Sequence, residues 1–260
     1  MLSEISTLTL VFILVAAFSA GFVDSVAGGG GLIQLPALLI AFPDREVAAI
    51  SGTNKLGSIF GTAAAAANYR RYIKSDPKLL IAMVIPAFFG AGAGSLLATK
   101  ISTDQLKIAI VAMLIAVFIY TLAQPDLGKV EALKGAKSRQ LRIGAAAALL
   151  IGFYDGFIGP GTGTLLMIVL VAALGFAFVG ASAIAKVVNV VTNFASILVF
   201  GVAGSILWMV GLAVGLCNLA GGIIGSQVAV KRGSSFVRTF YLIVTFALIV
   251  RVLFDLTSRN

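Results

Sequence analysis

Runs of apolar residues, each closed by a short polar stretch, follow one another along this chain from Thr7 almost to its end. A helix that crosses the hydrocarbon core of a bilayer needs about 20 such residues. Runs near that length predict helices at roughly 7–27, 46–68, 78–98, 106–123, 141–158, 163–179, 181–203, 205–230 and 236–255. One more run, 31–42, is short and predicts a half-helix or a re-entrant segment. The one long polar stretch, Gln124 to Arg142, reads as a linker at the midpoint.

The pattern occurs twice. At an offset of 131 residues the second half falls on the first without a gap. Gly21 then lands on Gly152, Asp24 on Asp155, Gly28 on Gly159, Gly30 on Gly161, Ser51 on Ser182 and Lys55 on Lys186. Matches of Asp, Lys and Gly at one offset mark an internal repeat. The expected organisation is therefore a first repeat at 1–123, a cytoplasmic linker at 124–140 and a second repeat at 141–260. The fold class expected is an all-α polytopic membrane protein of about ten transmembrane segments. Five segments per repeat is an odd number, so the second copy is inverted relative to the first.

Composition supports the membrane reading and narrows the chemistry. The chain of 260 residues is 60% hydrophobic and 11% charged, against about 25% charged in a soluble domain. The net charge of +9 comes from loop Lys and Arg, which set topology and meet anionic headgroups, so no nucleic-acid partner is expected. With ten crossings one face collects 12 of the 19 Lys and Arg, and the other only Arg45, Lys100, Lys107, Arg251 and Arg259. The richer face is expected in the cytoplasm, with both termini outside it and the N-terminal run a retained helix. Were 31–42 and its copy not to cross, the repeats would be parallel. There is no His and a single Cys, Cys217, which leaves little for an enzyme, a metal or a cofactor, and none is expected.

Lys55 and Lys186 are the two cations left inside apolar runs, and Asp24 and Asp155 the only carboxylates well inside them. A charge at the bilayer centre costs about 2.5–3.5 kcal/mol on insertion scales. Two symmetric sets of such charges imply either buried ion pairs that hold helices in register or a polar cavity in which the lysines attract an anion. In the second case Asp24 and Asp155 position the lysines or carry protons. The glycine runs point to a cavity. The helices break near Gly28–Gly31 (with Gly29 and Gly30) and near Gly159–Gly163 (with Pro160, Gly161 and Thr162). Broken helices in a membrane are tolerated where they line a cavity, and a restarting helix presents its amides to an anion. Ser51, Asn54, Lys55 and Ser58 share one helical face, as do Ser182, Lys186, Asn189 and Asn193. Gln34 lies within reach of the same place. The GxxxG pairs Gly57–Gly61, Gly90–Gly94, Gly211–Gly215 and Gly221–Gly225 read as packing faces, and Trp208 as an interfacial anchor.

The stretches GFVDSVAGGGGLIQLPALL and SGTNKLGSIFGTAAAAANYRR, with the second copy and its Gly-Pro-Gly-Thr-Gly run, resemble the TauE/SafE sulfite-exporter family in both halves. The resemblance implies transport of sulfite, sulfoacetate, other sulfonates or organic acids across a bacterial inner membrane. It places the site at the two breaks and at Asn54–Lys55. The second copy has Ala185–Lys186 there, so the halves are not chemically equal. No ATP-binding motif is present, so a secondary transporter working by alternating access is expected. A passive anion channel and a carrier of non-sulfur organic acids are the alternatives. The expected partners are a small anion and the lipid bilayer, with homodimerisation left open.

Overall fold

The computed structural model describes residues 6–100 and 132–257, which are all-helical with no strand. The helices are α1 (Thr7–Ala27), α2 (Gly31–Ala41), α3 (Val47–Tyr72), α4 (Pro77–Ala98), α5 (Lys137–Phe157), α6 (Thr162–Ile168), α7 (Phe178–Val202) and α8 (Trp208–Thr257). A π-helical turn, Val169–Ala173, extends α6. The segment expected at 106–123 lies outside the described residues. The runs expected at 205–230 and 236–255 are two helical stretches of α8 that meet at a kink at Gly233, whose backbone is non-helical with φ +76°. Helix α5 begins at Lys137, inside the stretch read as linker.

Among the described residues, four helices are long and apolar enough to cross a membrane: Thr7–Ala27, Pro77–Ala98, Phe178–Val202 and Trp208–Val237. Helices α3 and α5 have the length but dilute their apolar character with Asn54, Lys55 and Arg70, and with Lys137, Arg139 and Arg142. The fold is that of a polytopic membrane protein. The run expected at 163–179 as a full span needs correction. Helix α6 and its π turn stop at Ala173, so this segment is as short as its counterpart α2. Eleven residues rising about 1.5 Å each cover roughly half of the ~30 Å core.

Both short arms fold back on the helix that precedes them. A side chain at Gly30 would strike the Ala20 carbonyl and the Asp24 side chain, so α2 starts beside the middle of α1. Leu38 then packs with Ile13 and Ala17 near the start of α1. In the second half, the backbone N–H of Lys134 donates to Leu174 O at 2.9 Å and that of Ala132 to Gly175 O at 2.8 Å. These bonds tie the chain entering α5 to the end of the α6 arm.

Lipid offers no hydrophobic drive between apolar helices, so close contact must come from small residues. The GxxxG pairs do this as expected. Gly90 and Gly94 of α4 press on the backbone of α5 at Leu149 and Phe153. Gly221 and Gly225 of α8 press on α1 at Phe18 and Phe22, the equivalent positions. Gly211 and Gly215 receive Leu56 and Phe60 of α3. Each half thus lays its fourth helix on the first helix of the other half. Helices α3 and α7 run antiparallel through the centre: Gly52 lies against Phe200, while far along α3 Tyr69 meets Ser25 O and Ser182, near the start of α7, meets Val26 O. Trp208 is half-exposed at the start of α8.

Candidate functional site

The helix breaks are local consequences of glycine. Helix α1 ends at Gly28, whose φ of +81° is a left-handed cap. A residue with a Cβ pays for that conformation, and glycine does not. Gly159 at the equivalent position has φ +90° and Gly161 has φ +86°. Hydroxyls and carbonyls finish the breaks: Tyr69 donates to Ser25 O at 2.8 Å and Tyr154 to Pro160 O at 2.7 Å. The two breaks meet at the centre of the molecule. Gly28 lies against the backbone of Gly163 and Thr164, and Gly31 lies against Pro160.

Around this crossing the four buried charges are exchanged between the halves. Lys55 of α3 pairs with Asp155 of α5, Nζ to Oδ1 at 2.6 Å. Lys186 of α7 pairs with Asp24 of α1, Nζ to Oδ2 at 2.9 Å. Each lysine therefore takes the carboxylate of the other half. Both pairs border a small polar cavity of about 30 Å³, room for one or two water molecules. Asp24, Gly28 and Gly31 line it, with Asn54, Lys55, Ser58 and Thr62 from α3. Asp155, Gly159, Gly161, Thr162, Asn189 and Asn193 complete it from the second half.

The residues picked from the sequence divide accordingly. Lys55, Asn54, Asp24, Asp155, Gly31, Gly161, Thr162 and Asn189 line the cavity. Lys186 reaches it through Asp24 and is itself fully buried. Gly29 and Gly30 are buried within the first break, and Gly163 seats the first break on the second. Gln34 is turned elsewhere: its Nε2 donates to Asn54 O at 3.2 Å and its Oε1 accepts from Asn218 Nδ2 at 2.7 Å. It clamps α2, α3 and α8 together. Ser51 is half-buried and away from the cavity lining. The first amides of α2 are partly spent, since Leu32 and Ile33 donate back to Gly29 and Gly30.

Thr62, Asn218 and the two tyrosines were not singled out by sequence. Thr62 follows Ser58 at helical spacing on the polar face of α3, which is the signal that could have found it. Two amide oxygens, Asn54 Oδ1 and Asn189 Oδ1, are buried without a hydrogen-bond partner. A buried polar atom left unpaired is costly, so such atoms mark places where a water or a ligand completes the bonding. Among the described residues no group of His, Cys, Asp and Glu is arranged to hold a metal ion.

Apolar spans around a closed, charge-bearing polar centre define a multi-pass membrane protein, and its family and relatives make it a membrane transporter. The chain belongs to the sulfite exporter TauE/SafE family, whose pattern it matches over residues 13–252. It is 39% identical over 249 residues to the "Probable membrane transporter protein ORF9" of a Sinorhizobium species, covering 95% of this chain and 94% of that one. It is 32% identical over 246 residues to a "Probable membrane transporter protein" of Haemophilus influenzae, covering 95% of each. It is 33% identical over 259 residues to the "Probable membrane transporter protein YfcA" of Escherichia coli K12, covering 96% of this chain and 92% of that one. No solved structure matches the chain.

Proposed function

We propose that the protein is a secondary transporter of small sulfur-containing or organic anions, sulfonates and sulfite foremost, across the bacterial inner membrane. The observation that carries this reading is the polar cavity at the meeting of the two breaks, with a lysine from each half beside it. Lys55 and Lys186 supply the positive charge, and Asn54 and Asn189 line the cavity with side-chain amides whose N–H groups can donate to an oxyanion. The family name, which refers to sulfite export, supports the substrate class.

Transport proceeds by alternating access between residues 1–123 and 141–260 as two inverted repeats. The antiparallel run of α3 and α7 supports inversion, and so do the matching helix starts. Val47 and Phe178, and Pro77 and Trp208, are related by the same offset of 131. The returning arms also remove a condition on the topology. Each arm ends near where its first helix began, so the chain resumes on the same face whether or not the arm reaches the far side. Inversion then survives with short arms. The cation-rich face is cytoplasmic and both termini lie outside. The paired charges and the small cavity oppose a standing open pore, which favours a carrier over a channel.

The test is counterflow in proteoliposomes with sulfite, sulfoacetate and methanesulfonate. Wild-type protein is expected to exchange at least one of them, and Lys55→Ala and Lys186→Ala each to reduce exchange at least tenfold while remaining folded. Full exchange by both variants would remove the site from the reading.

A further inference from the structure

The four buried charges sum to zero, and both lysines are already neutralised. An anion entering this centre brings an uncompensated charge into a site that lipid and apolar helices shield from water, and such a charge is strongly disfavoured. One added proton on one carboxylate restores neutrality and frees one ammonium for the anion. Resting on the anion-carrier reading above, we infer that the transporter is a proton–anion symporter in which Asp24, and not its repeat-mate Asp155, carries the coupled proton.

The two carboxylates are equivalent in sequence but not in surroundings. Asp155 accepts a short bond from Lys55 Nζ at 2.6 Å, and the Thr162 hydroxyl lies 2.6 Å from its Oδ1 and equally 2.6 Å from Gly159 O. Its side chain is 5% exposed. Asp24 has Lys186 at 2.9 Å, and its side chain is 16% exposed. The nearest hydroxyl, that of Thr62, is 3.4 Å from Asp24 and 2.7 Å from Ser58 O. A hydroxyl has one proton, and the shorter contact takes it. The carboxylate of Asp24 therefore rests on one lysine alone and meets the cavity. The cause lies in the sequence: Thr162, which serves Asp155, occupies the position that is Gly31 in the first half.

The charged or titratable groups around Asp24 are few. Lys186 faces it from α7, Lys55 and Tyr69 stand on α3, and Asp155 lies across the cavity on α5. Helices α2 and α6 carry no titratable residue. On the part of α8 packed against α1, Cys217 sits in the apolar cluster of Ile13 and Ala17, and Lys231 and Arg232 are exposed near the bend.

Lys186 makes the coupling obligatory. It is fully buried, with no exposed side-chain surface. If Asp24 gains a proton and no anion arrives, a buried ammonium is left unpaired. If an anion arrives and Asp24 stays ionised, the site carries an extra negative charge. The low-energy states are the empty ion pair and the site loaded with both proton and anion. In the step itself a hydronium proton binds the Asp24 carboxylate and leaves water behind, the hydrogen bond donated by the Lys186 ammonium shifts from Asp24 to the anion, and both reverse on the far side. No covalent bond other than O–H forms or breaks.

The experiment uses full-length protein in proteoliposomes with methanesulfonate, a monoanion that does not itself titrate, and a lumenal pH dye. A pH gradient of one unit is expected to concentrate methanesulfonate about tenfold, and a methanesulfonate gradient to move protons. Asp24→Asn is expected to lose both effects in whatever exchange it retains, while Asp155→Asn keeps proton coupling wherever it exchanges. Should Asp24→Asn not fold or not exchange, dicyclohexylcarbodiimide, which attacks protonated carboxyls in apolar surroundings, is expected to label Asp24 and spare Asp155 in wild-type protein. Wild-type exchange that no pH gradient drives, coupling retained in Asp24→Asn, or labelling at Asp155 alone would each overturn the inference while leaving the carrier reading intact. Failure of wild-type protein to exchange sulfite, sulfoacetate or methanesulfonate would instead defeat the carrier reading beneath it.

Discussion

The Lys55–Asp155 and Lys186–Asp24 pairs are built from the same residue types at equivalent positions, and they differ in what closes around them. The first is tight at both ends, with a lysine and an aspartate each about 5% exposed and a threonine hydroxyl as a third member. Both carboxylates border the cavity, but the second pair has one end sealed and the other more open: Lys186 is fully buried, and the Asp24 side chain is 16% exposed. The breaks behind them differ in the same sense. A side chain at Gly159 would approach the ammonium of Lys55, whereas one at Gly28 would strike the backbone of the opposite break. A duplicated sequence can thus keep its charges in register while the two copies come to differ in burial and bonding.

The largest expected effect that tests this contrast comes from removing one lysine at a time. Breaking a buried pair costs about 3–5 kcal/mol, because the remaining charge is stranded. Lys55→Ala strands a carboxylate that is nearly fully buried and is expected to reach that range. Lys186→Ala strands one whose side chain is 16% exposed and is expected to cost clearly less. Thermal unfolding in detergent decides, and equal losses would mean that the two environments are not different in energy.

A smaller change sharpens the point. Thr162→Val keeps the shape of the side chain and removes the hydroxyl that Asp155 accepts, making the second half more like the first. A hydrogen bond to a charged group contributes about 1.5–3 kcal/mol, and a loss of that order in unfolding stability is expected. An unchanged melting temperature would show that the hydroxyl spends its proton on Gly159 O, which lies as close, at 2.6 Å.

The smallest effect belongs to a third Asp–Lys pair, at the surface. Asp76 caps α4, and Lys137 of α5 meets its carboxylate at 2.9 Å, with side chains 36% and 63% exposed. The side-chain hydrogen bond from Lys137, then the backbone N–H of Lys78, hold this carboxyl below its usual range. A lowered carboxyl stabilises the fold at pH values above its unfolded pKa and loses that contribution as pH falls through the folded one. Lys137→Ala is therefore expected to melt slightly below wild type at neutral pH, with the gap closing only under about pH 4. Exposed pairs of this kind contribute little. A gap as large as that of Lys55→Ala would show that burial is not what separates the central pairs from this one.

Much of this protein was legible in order of residues alone. Hydropathy and length determined a multi-pass membrane chain, because an apolar helix has few other places to go. The offset of 131 determined that two halves share one plan, and glycine and proline determined where helices break, since those are properties of single residues. The intramembrane Lys and Asp were conspicuous for their cost. Tertiary structure decided which aspartate each lysine meets, that Gln34 turns to Asn218 rather than to the cavity, and that α6 ends short and folds back. These depend on the approach of groups separated by as many as 184 positions along the chain. Such an approach is set by how glycine faces let whole helices seat against one another. The inequality of the two carboxylates lay between these levels. The exchange of Gly31 for Thr162 was visible in the repeat, but only the packed structure brought that hydroxyl to Asp155.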